Sequence, residues 1–157
     1  MTIFLNLIIG LFSSVLCSQE WQFSADKAES NIKNNELVNQ FSGNVIINKD
    51  ELTLTTNQAI QFTERDEIHL YKNVNMIDGN TNIKCDQLVY DTKNKIAVAY
   101  NNVSLSRDQT FLSCDTLYYW DAIDSLRGFG KINIYEKDKL NNVTAGSIIA
   151  TFYDSSS

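Results

Sequence analysis

Few side chains in this sequence have the types and spacing that catalysis needs. His69 is the only histidine among the 157 residues, so Ser/His/Asp chemistry would depend on this one side chain. The motifs G-x-S-x-G, H-E-x-x-H, G-x-x-x-x-G-K-[ST] and G-x-G-x-x-G do not occur. The sequence therefore predicts a non-enzymatic protein without a cofactor. A small secreted hydrolase would need a pair of titratable groups in a pocket, and the sequence offers no such pair.

Two cysteines, Cys85 and Cys114, are 29 residues apart and either form a disulfide or remain free. In an exported protein they could form a disulfide only if their Cα atoms lay within about 7 Å of each other. The alternative is that both are small apolar residues facing the interior. No metal site is predicted, because a zinc site needs several Cys or His ligands and the recurring aspartates lack the glycine-rich pattern of calcium-binding β-rolls.

The first residues of the chain have the pattern of an export signal. Residues 1–16 are predominantly apolar and end abruptly before the polar stretch Ser18-Gln19-Glu20. This pattern predicts a secretory signal peptide over residues 1–17. The segment is shorter than the roughly 20 residues of a membrane span, and an uncleaved anchor is the alternative.

The remaining residues, 18–157, are expected to form one domain. They are numerous enough for a hydrophobic core, and no linker divides them. The net charge is −6, and no run of Lys or Arg occurs. Because binding to a phosphate backbone needs clustered cations, nucleic acid is excluded as a partner.

A repeat of 29 residues must position any functional site. Asn44-Val45, Asn73-Val74 and Asn102-Val103 are equally spaced, and Lys131-Ile132 follows after one more step. The fourth copy contains a two-residue insertion near Asn141. A fixed period of this size indicates a repetitive architecture in which each unit buries its face on its neighbours. Function is therefore expected from a surface or a groove.

Within each repeat, apolar and polar residues alternate, as in Glu51-Leu52-Thr53-Leu54-Thr55. This alternation predicts strands, and clusters such as Asp78-Gly79-Asn80 predict the turns between them. Proline is absent, so every strand residue can donate a backbone hydrogen bond. A fainter copy, Ala25-Asp26-Lys27-Ala28, resembles Thr56-Asn57-Gln58-Ala59 and predicts an N-terminal edge strand. The expected fold class is all-β.

The repeated phrase also carries a family resemblance. In residues 73–91 and 102–121, Asn-Val-x-(Met/Leu) and a polar turn precede apolar-x-Cys-Asp-x-Leu-x-Tyr. In this pattern, and in its recurrence after a signal peptide, the chain resembles the LptA/OstA-like family of periplasmic lipopolysaccharide-transport proteins. Two of the four motif glycines are replaced, by Lys72 and Asn101. Asn tolerates a positive φ, whereas Lys does so poorly.

The resemblance implies an open antiparallel β-jellyroll, or β-taco, built from repeats of about 29 residues, whose inner face holds lipid A acyl chains. Burial of each CH₂ group of such a chain contributes about 0.8 kcal/mol. A one-residue register error would exchange the lining residues for those of the opposite face. The residues predicted to line the groove are Val45, Ile47, Leu54, Ile60, Phe62, Val74, Met76, Ile83, Leu88, Val103, Leu105, Leu112, Leu117, Ile132, Ile134 and Ile148.

The resemblance also implies partners. Family members join end to end by pairing edge strands, which here implies a head-to-tail homo-oligomer or contacts with homologous transport proteins. The apolar stretch around residues 148–153 is the candidate C-terminal edge. The cations that could contact a lipid headgroup are Lys27, Lys33, Arg65, Lys72 and Lys131.

The function that the resemblance implies is a periplasmic carrier or bridge that moves lipopolysaccharide from the inner to the outer membrane. If residues 1–17 were retained, the chain would instead be the membrane-anchored member of the same pathway. The alternative from another class is a structural or adhesive exported β-solenoid with a filled core and no ligand. Uptake of a lipid-like probe would separate carrier from scaffold.

Overall fold

The computed structural model describes residues 20–136 and 139–151, so the predicted signal peptide lies outside the described residues. The described chain forms one antiparallel sheet of ten strands. This confirms the expected all-β, open antiparallel β-jellyroll. The strands are β1 (Gln22–Ser24), β2 (Lys27–Lys33), β3 (Glu36–Lys49), β4 (Leu52–Phe62), β5 (Glu67–Asp78), β6 (Thr81–Asp91), β7 (Ile96–Arg107), β8 (Thr110–Trp120), β9 (Ser125–Glu136) and β10 (Lys139–Thr151).

Strands that follow one another in the chain are also neighbours in the sheet. The order is β1-β3-β4-β5-β6-β7-β8-β9-β10, and β2 pairs with the other half of β3. Each 29-residue repeat therefore supplies two adjacent strands. The predicted insertion near Asn141 coincides with a break in the β9–β10 register between Lys139 and Asn142. None of the described residues belongs to a helix long and apolar enough to cross a membrane.

The turns between strands form two parallel rows. Several turn residues, such as Asp50, Asp66 and Asp108, have a positive φ, which Asp and Asn tolerate better than most residues. We call the row of two-residue turns, with the strand ends beside it, the first lip, and the row of longer turns the second lip. The first lip contains residues 50–51, 79–80 and 108–109, and the second contains residues 63–66, 92–95 and 121–124.

Each long strand bends near its middle, at a position that recurs with the repeat. Gly43-Asn44, Lys72-Asn73 and Asn101-Asn102 all have positive φ, and each pair lies opposite a single residue of the following strand. Such bulges bend a strand and increase its twist. The line of bends, which we call the corner, folds the sheet onto itself, so that the two lips meet along a seam.

Polar side chains link neighbouring strands along the corner. The faint N-terminal copy takes part, because Asp26 lies between β1 and β2 in the place that Asn57 and Asp86 occupy further along. The hydrogen bonds run from Asn44 Nδ2 to Asp26 Oδ2 (2.9 Å), from Asn73 Nδ2 to Asn57 Oδ1 (3.0 Å) and from Asn102 Nδ2 to Asp86 Oδ2 (2.7 Å). The repeat therefore preserves the corner as well as the strands.

The corner divides the sheet into two facing layers with the hydrophobic core between them. Strand halves that end at the first lip form the first layer, and halves that end at the second lip form the second layer. Large side chains of the first layer, such as Ile47 and Met76, face smaller ones of the second layer, such as Ala59 and Ala99. All four are at most 1% exposed. The interior of the described protein is thus filled by its own side chains.

Candidate functional site

The space between the two layers is the candidate site, because the predicted lining residues converge there. Fourteen of the sixteen predicted residues belong to the buried cluster or pack against it. Twelve are buried, whereas Ile134 and Ile148, near the C-terminal edge, are half-buried. The fourteen are Val45, Ile47, Leu54, Val74, Met76, Ile83, Leu88, Val103, Leu105, Leu112, Leu117, Ile132, Ile134 and Ile148.

Ile60 and Phe62 lie on the outer face, contrary to the prediction. In the second-layer half of β4, Ala59 is buried in the core, so the alternate residues 60 and 62 point away from it. Phe62 packs against the ring of His69 at 4.8 Å between centroids, and the Arg65 guanidinium lies 3.7 Å from its ring centre. Both residues are therefore corrected to the outer surface of the second layer.

Several core residues of the second layer were not predicted from the sequence. The alternation of apolar and polar residues would have identified them if it had been counted anew from the corner, instead of being continued from the preceding half of the strand. Small and polar members also made this layer harder to recognise. The unpredicted core residues of the second layer are Ala59, Ile68, Leu70, Tyr90, Ala97, Ala99, Tyr119 and Leu126, and Leu52 of the first layer was not predicted either.

Cys85 and Cys114 are buried and free, so the possible disulfide is not formed. Cys85 belongs to β6 and Cys114 to β8, and β7 lies between them, which separates them by about 9.5 Å. Burial raises the pKa of the Cys85 thiol to about 12 and that of the Cys114 thiol to about 11. Both thiols stay protonated and unreactive near neutral pH.

The cysteines have a structural role at the corner. Cys114 Sγ donates to the Thr116 carbonyl at 3.3 Å, as Thr56 Oγ1 donates to the Gln58 carbonyl at 3.3 Å. Thr56 and Cys114 occupy equivalent positions of their repeats. No group of three or more His, Cys, Asp or Glu side chains within the described ranges is arranged to hold a metal ion.

The seam opposite the corner is bridged by polar side chains from both lips. The Tyr119 hydroxyl, from the second layer, donates to Asp78 Oδ2 of the first lip at 3.0 Å. Arg107 of the first lip forms an ion pair with Asp124 of the second. The Asp121 carboxyl lines the same cleft as Asp78, and burial and the charge of Asp78 raise its pKa. These contacts close the side through which a ligand would reach the interior.

Electrostatics at the seam favour its protonated groups. Burial raises the pKa of Tyr119, and the charge of Asp78 raises it further. Burial and the neighbouring Asp78 also raise the pKa of Asp121, which Lys95 opposes from 3.9 Å. The hydrogen bond to Asp124 raises the pKa of Arg107. The seam therefore brings together carboxylates that repel one another unless a proton or a cation lies between them.

Aromatic residues close the N-terminal end of the molecule. Trp21 meets Tyr90 of the second layer edge to face at 5.7 Å, and Lys49 of the first lip lies 5.1 Å from the Trp21 ring. Phe23 and Phe41, from opposite layers, stack at 4.9 Å between centroids. These contacts cap the interior at the β1 and β2 edge.

The remaining candidates for chemistry do not form a catalytic group. His69 lies on the outer face, where Nε2 is 2.9 Å from Glu67 Oε2 and Nδ1 is 3.3 Å from the Tyr71 hydroxyl. Within the aromatic segment 118–120, Tyr119 points inward, whereas Tyr118 and Trp120 stack outside at 5.9 Å.

The cations proposed for headgroup contact are spread over the surface. Lys72 and Lys131 lie at the corner, and Lys27 and Lys33 on β2, so only Arg65 belongs to a lip. The other cations that flank the seam in the described structure are Lys49, Lys93, Lys95 and Arg107. Acidic side chains outnumber basic ones on both lips. A polyanionic headgroup would therefore find little charge attraction there.

Comparison with known proteins agrees with this architecture. Residues 22–124 match the profile of the OstA-like protein family. Among solved structures, the fold is similar to that of LptH from Pseudomonas aeruginosa, described as the LptA-homologous periplasmic component of the conserved lipopolysaccharide transport device. The TM-score is 0.69, over 74% of this chain and 94% of LptH, at 13% sequence identity. A comparison with curated protein sequences finds no match. Because the family profile matches more than half of its length, the chain belongs to the OstA-like protein family.

Proposed function

We propose that this protein is a non-catalytic periplasmic carrier that binds the acyl chains of lipopolysaccharide between its two layers and passes the lipid towards the outer membrane. The observation that carries this proposal is the continuity of the apolar interior, to which every strand from β3 to β9 contributes buried residues. Membership of the OstA-like family and the fold shared with LptH support it. The acyl chains, rather than headgroup charges, would supply the affinity.

A carrier with this interior must expand when it loads. Residues such as Leu54, Leu70 and Ile83 have no exposed surface, so an acyl chain has to displace side-chain contacts between the layers. The packed interior also favours the second candidate function, a structural β-solenoid without a ligand. The two functions differ in whether the layers separate to admit lipid.

The two edges of the sheet supply the proposed contacts with other molecules. At the C-terminal edge of the described sheet, β10 pairs with β9 alone. At the N-terminal edge, β2 is exposed along its whole length and carries an ion pair between Lys27 and Glu29 at 2.7 Å. Charged edge strands resist uncontrolled pairing. We infer that the C-terminal edge of one molecule pairs with the N-terminal edge of a second copy or of a homologous transport protein.

The location of the protein depends on residues 1–17. Cleavage of this segment would release a periplasmic carrier, whereas its retention would give the membrane-anchored member of the same pathway. The intact mass of the protein purified from its own host distinguishes these outcomes.

Site-specific photocrosslinking tests the carrier function. The photoreactive residue p-benzoylphenylalanine replaces Ile134, which points inward and is half-buried, or its neighbour Asn133, which points outward. The proteins are expressed in a lipopolysaccharide-producing host, irradiated, and examined for lipopolysaccharide adducts by immunoblotting and mass spectrometry. We expect adducts at position 134 and not at position 133. Two folded variants without adducts would support the scaffold instead.

A further inference from the structure

The seam differs from the corner in how it is held together. At the corner, each strand from β3 to β9 continues covalently from one layer into the other. At the seam, distant segments within residues 20–136 meet through side chains and not through backbone hydrogen bonds, as Tyr119 and Asp78 do across 41 residues. The layers can therefore separate at the seam by rotation about the corner. They cannot separate at the corner, where the backbone joins them.

The bridging contacts are of a kind that opens readily. Arg107 and Asp124 form a largely buried ion pair, in which the cost of removing both charges from water offsets much of their attraction. Asp78 accepts the Tyr119 hydroxyl at 3.0 Å but also lies beside the Asp121 carboxyl, which repels it when both are ionised. These few polar contacts therefore hold the lips together above the apolar core, whose packing holds the layers together below them.

The seam is also the longest boundary across which a ligand could enter the interior. It extends along the whole row of turns, whereas the N-terminal end is covered by the stacked rings of Phe23 and Phe41. An acyl chain that entered sideways would cross the line of Asp78, Tyr119, Arg107 and Asp124 before it reached buried residues such as Leu105 and Leu117.

We propose that Asp78, Tyr119, Arg107 and Asp124 form a latch that holds the seam closed in the empty protein and must open for a lipid acyl chain to enter the interior from the side. The role of the latch in lipid entry rests on the proposed carrier function. Whether the four residues hold the lips together can be tested without lipid. The polar groups of the four residues control access to the apolar side chains below them.

The first test measures the distance between the lips. Spin labels are attached to cysteines at Gln109 of the first lip and Ala122 of the second, both exposed, in a Cys17→Ala/Cys85→Ala/Cys114→Ala background. Tyr119→Phe keeps the ring in the core but removes the bond to Asp78, and Arg107→Gln removes the ion pair. We expect the combined variant to show a broader, longer distance distribution in pulsed electron paramagnetic resonance. An unchanged distribution would overturn the latch, whether or not the protein carries lipid.

The second test locks the seam. Asp78→Cys/Asp121→Cys, joined by a short thiol-specific cross-linker, ties the two lips together. Asn80→Cys/Asp108→Cys, whose native side chains bond at 3.0 Å within the first lip, is the matched control. Uptake of a fluorescent-acyl lipid A probe should fall at least tenfold in the first variant and remain unchanged in the second.

The outcomes separate the two proposals. If the seam-locked and control proteins take up the probe equally, lipid enters through an end and the latch proposal fails. If neither the wild type nor the latch-weakened variant takes up the probe although the lips part, the carrier function fails and the latch stands as a property of the fold.

Discussion

At the residue scale, Asp121 makes the stability of the protein depend on pH. Burial and the nearby Asp78 raise its pKa above the usual value, more than Lys95 lowers it. The folded state therefore binds this proton more tightly than the unfolded state does. The stabilising contribution is complete below the ordinary pKa of about 3.8 and is lost as the pH rises through the raised pKa.

Replacement of Asp121 by Asn should therefore stabilise the protein at neutral pH. The amide remains uncharged, so repulsion from Asp78 disappears while the side-chain shape is kept. We expect the Tm of Asp121→Asn to exceed that of the wild type at about pH 7 and to equal it at about pH 3, as measured by circular dichroism. Asp50→Asn, at an exposed turn of the first lip, is the control and should follow the wild type. Parallel curves for wild type and Asp121→Asn would contradict this account.

At the element scale, the corner places residues in a backbone conformation that glycine adopts most readily. Gly43 and Gly130 have positive φ without strain, and Asn101 tolerates it. Lys72 occupies the equivalent position of the second repeat with φ 67. A left-handed conformation costs a residue with a Cβ about 1–2 kcal/mol. The second bend is therefore strained, and its neighbours hold it in place.

Substitution of Lys72 by Gly should relieve this strain. We expect the free energy of unfolding in urea to rise by about 0.5–1 kcal/mol, because the lost strain exceeds the entropy cost of glycine. Lys84→Gly, at an exposed position of β6 without positive φ, is the matched control and should lower the free energy of unfolding by about the same amount. Equal destabilisation by both substitutions would refute the strained bend.

The sequence predicted which residues occupy equivalent positions of successive repeats better than it predicted which of them face the core. The 29-residue period placed Val45, Val74 and Val103 in one inward column, as the structure confirms. It did not reveal that Ala59 rather than Ile60 enters the core, because both are apolar and the bulge at the corner resets the alternation. The filled interior was not predictable either, because it depends on how closely two layers approach.

The cysteine pair shows a second limit of the repeat pattern. Equal positions in successive repeats indicated a shared column for Cys85 and Cys114. One repeat, however, comprises two strands, so the column contains an intervening residue, Val103 of β7. Counting strands per repeat, rather than residues, would have excluded the disulfide.

At the scale of the whole molecule, the two edges of the sheet are chemically unlike. The N-terminal edge strand β2 carries Lys27, Glu29 and Lys33, whereas Ile149 of β10 is 70% exposed at the other edge. Unlike edges that pair with each other produce a head-to-tail chain rather than a closed dimer. Growth of such a chain would continue the sheet, and its corner and seam, from one molecule to the next.

This association should be weakened by a charge on the apolar edge. We expect Ile149→Lys to reduce concentration-dependent self-association in sedimentation velocity, because a lysine on an edge strand opposes pairing. Ile77→Lys, at a partly exposed position on the central strand β5, is the control and should associate like the wild type. Equal association of all three proteins would exclude the C-terminal edge as the contact.

Because each 29-residue repeat supplies two strands, the number of repeats sets the length of the sheet. One additional repeat would extend the sheet by about 9.5 Å and leave its cross-section unchanged. An insertion of another size within a strand breaks the local pairing register, as the two-residue insertion near Asn141 does between Lys139 and Asn142. Duplication or loss of a complete repeat is therefore the step by which such a protein can change its span during evolution, and related chains are expected to differ in length by whole multiples of that step.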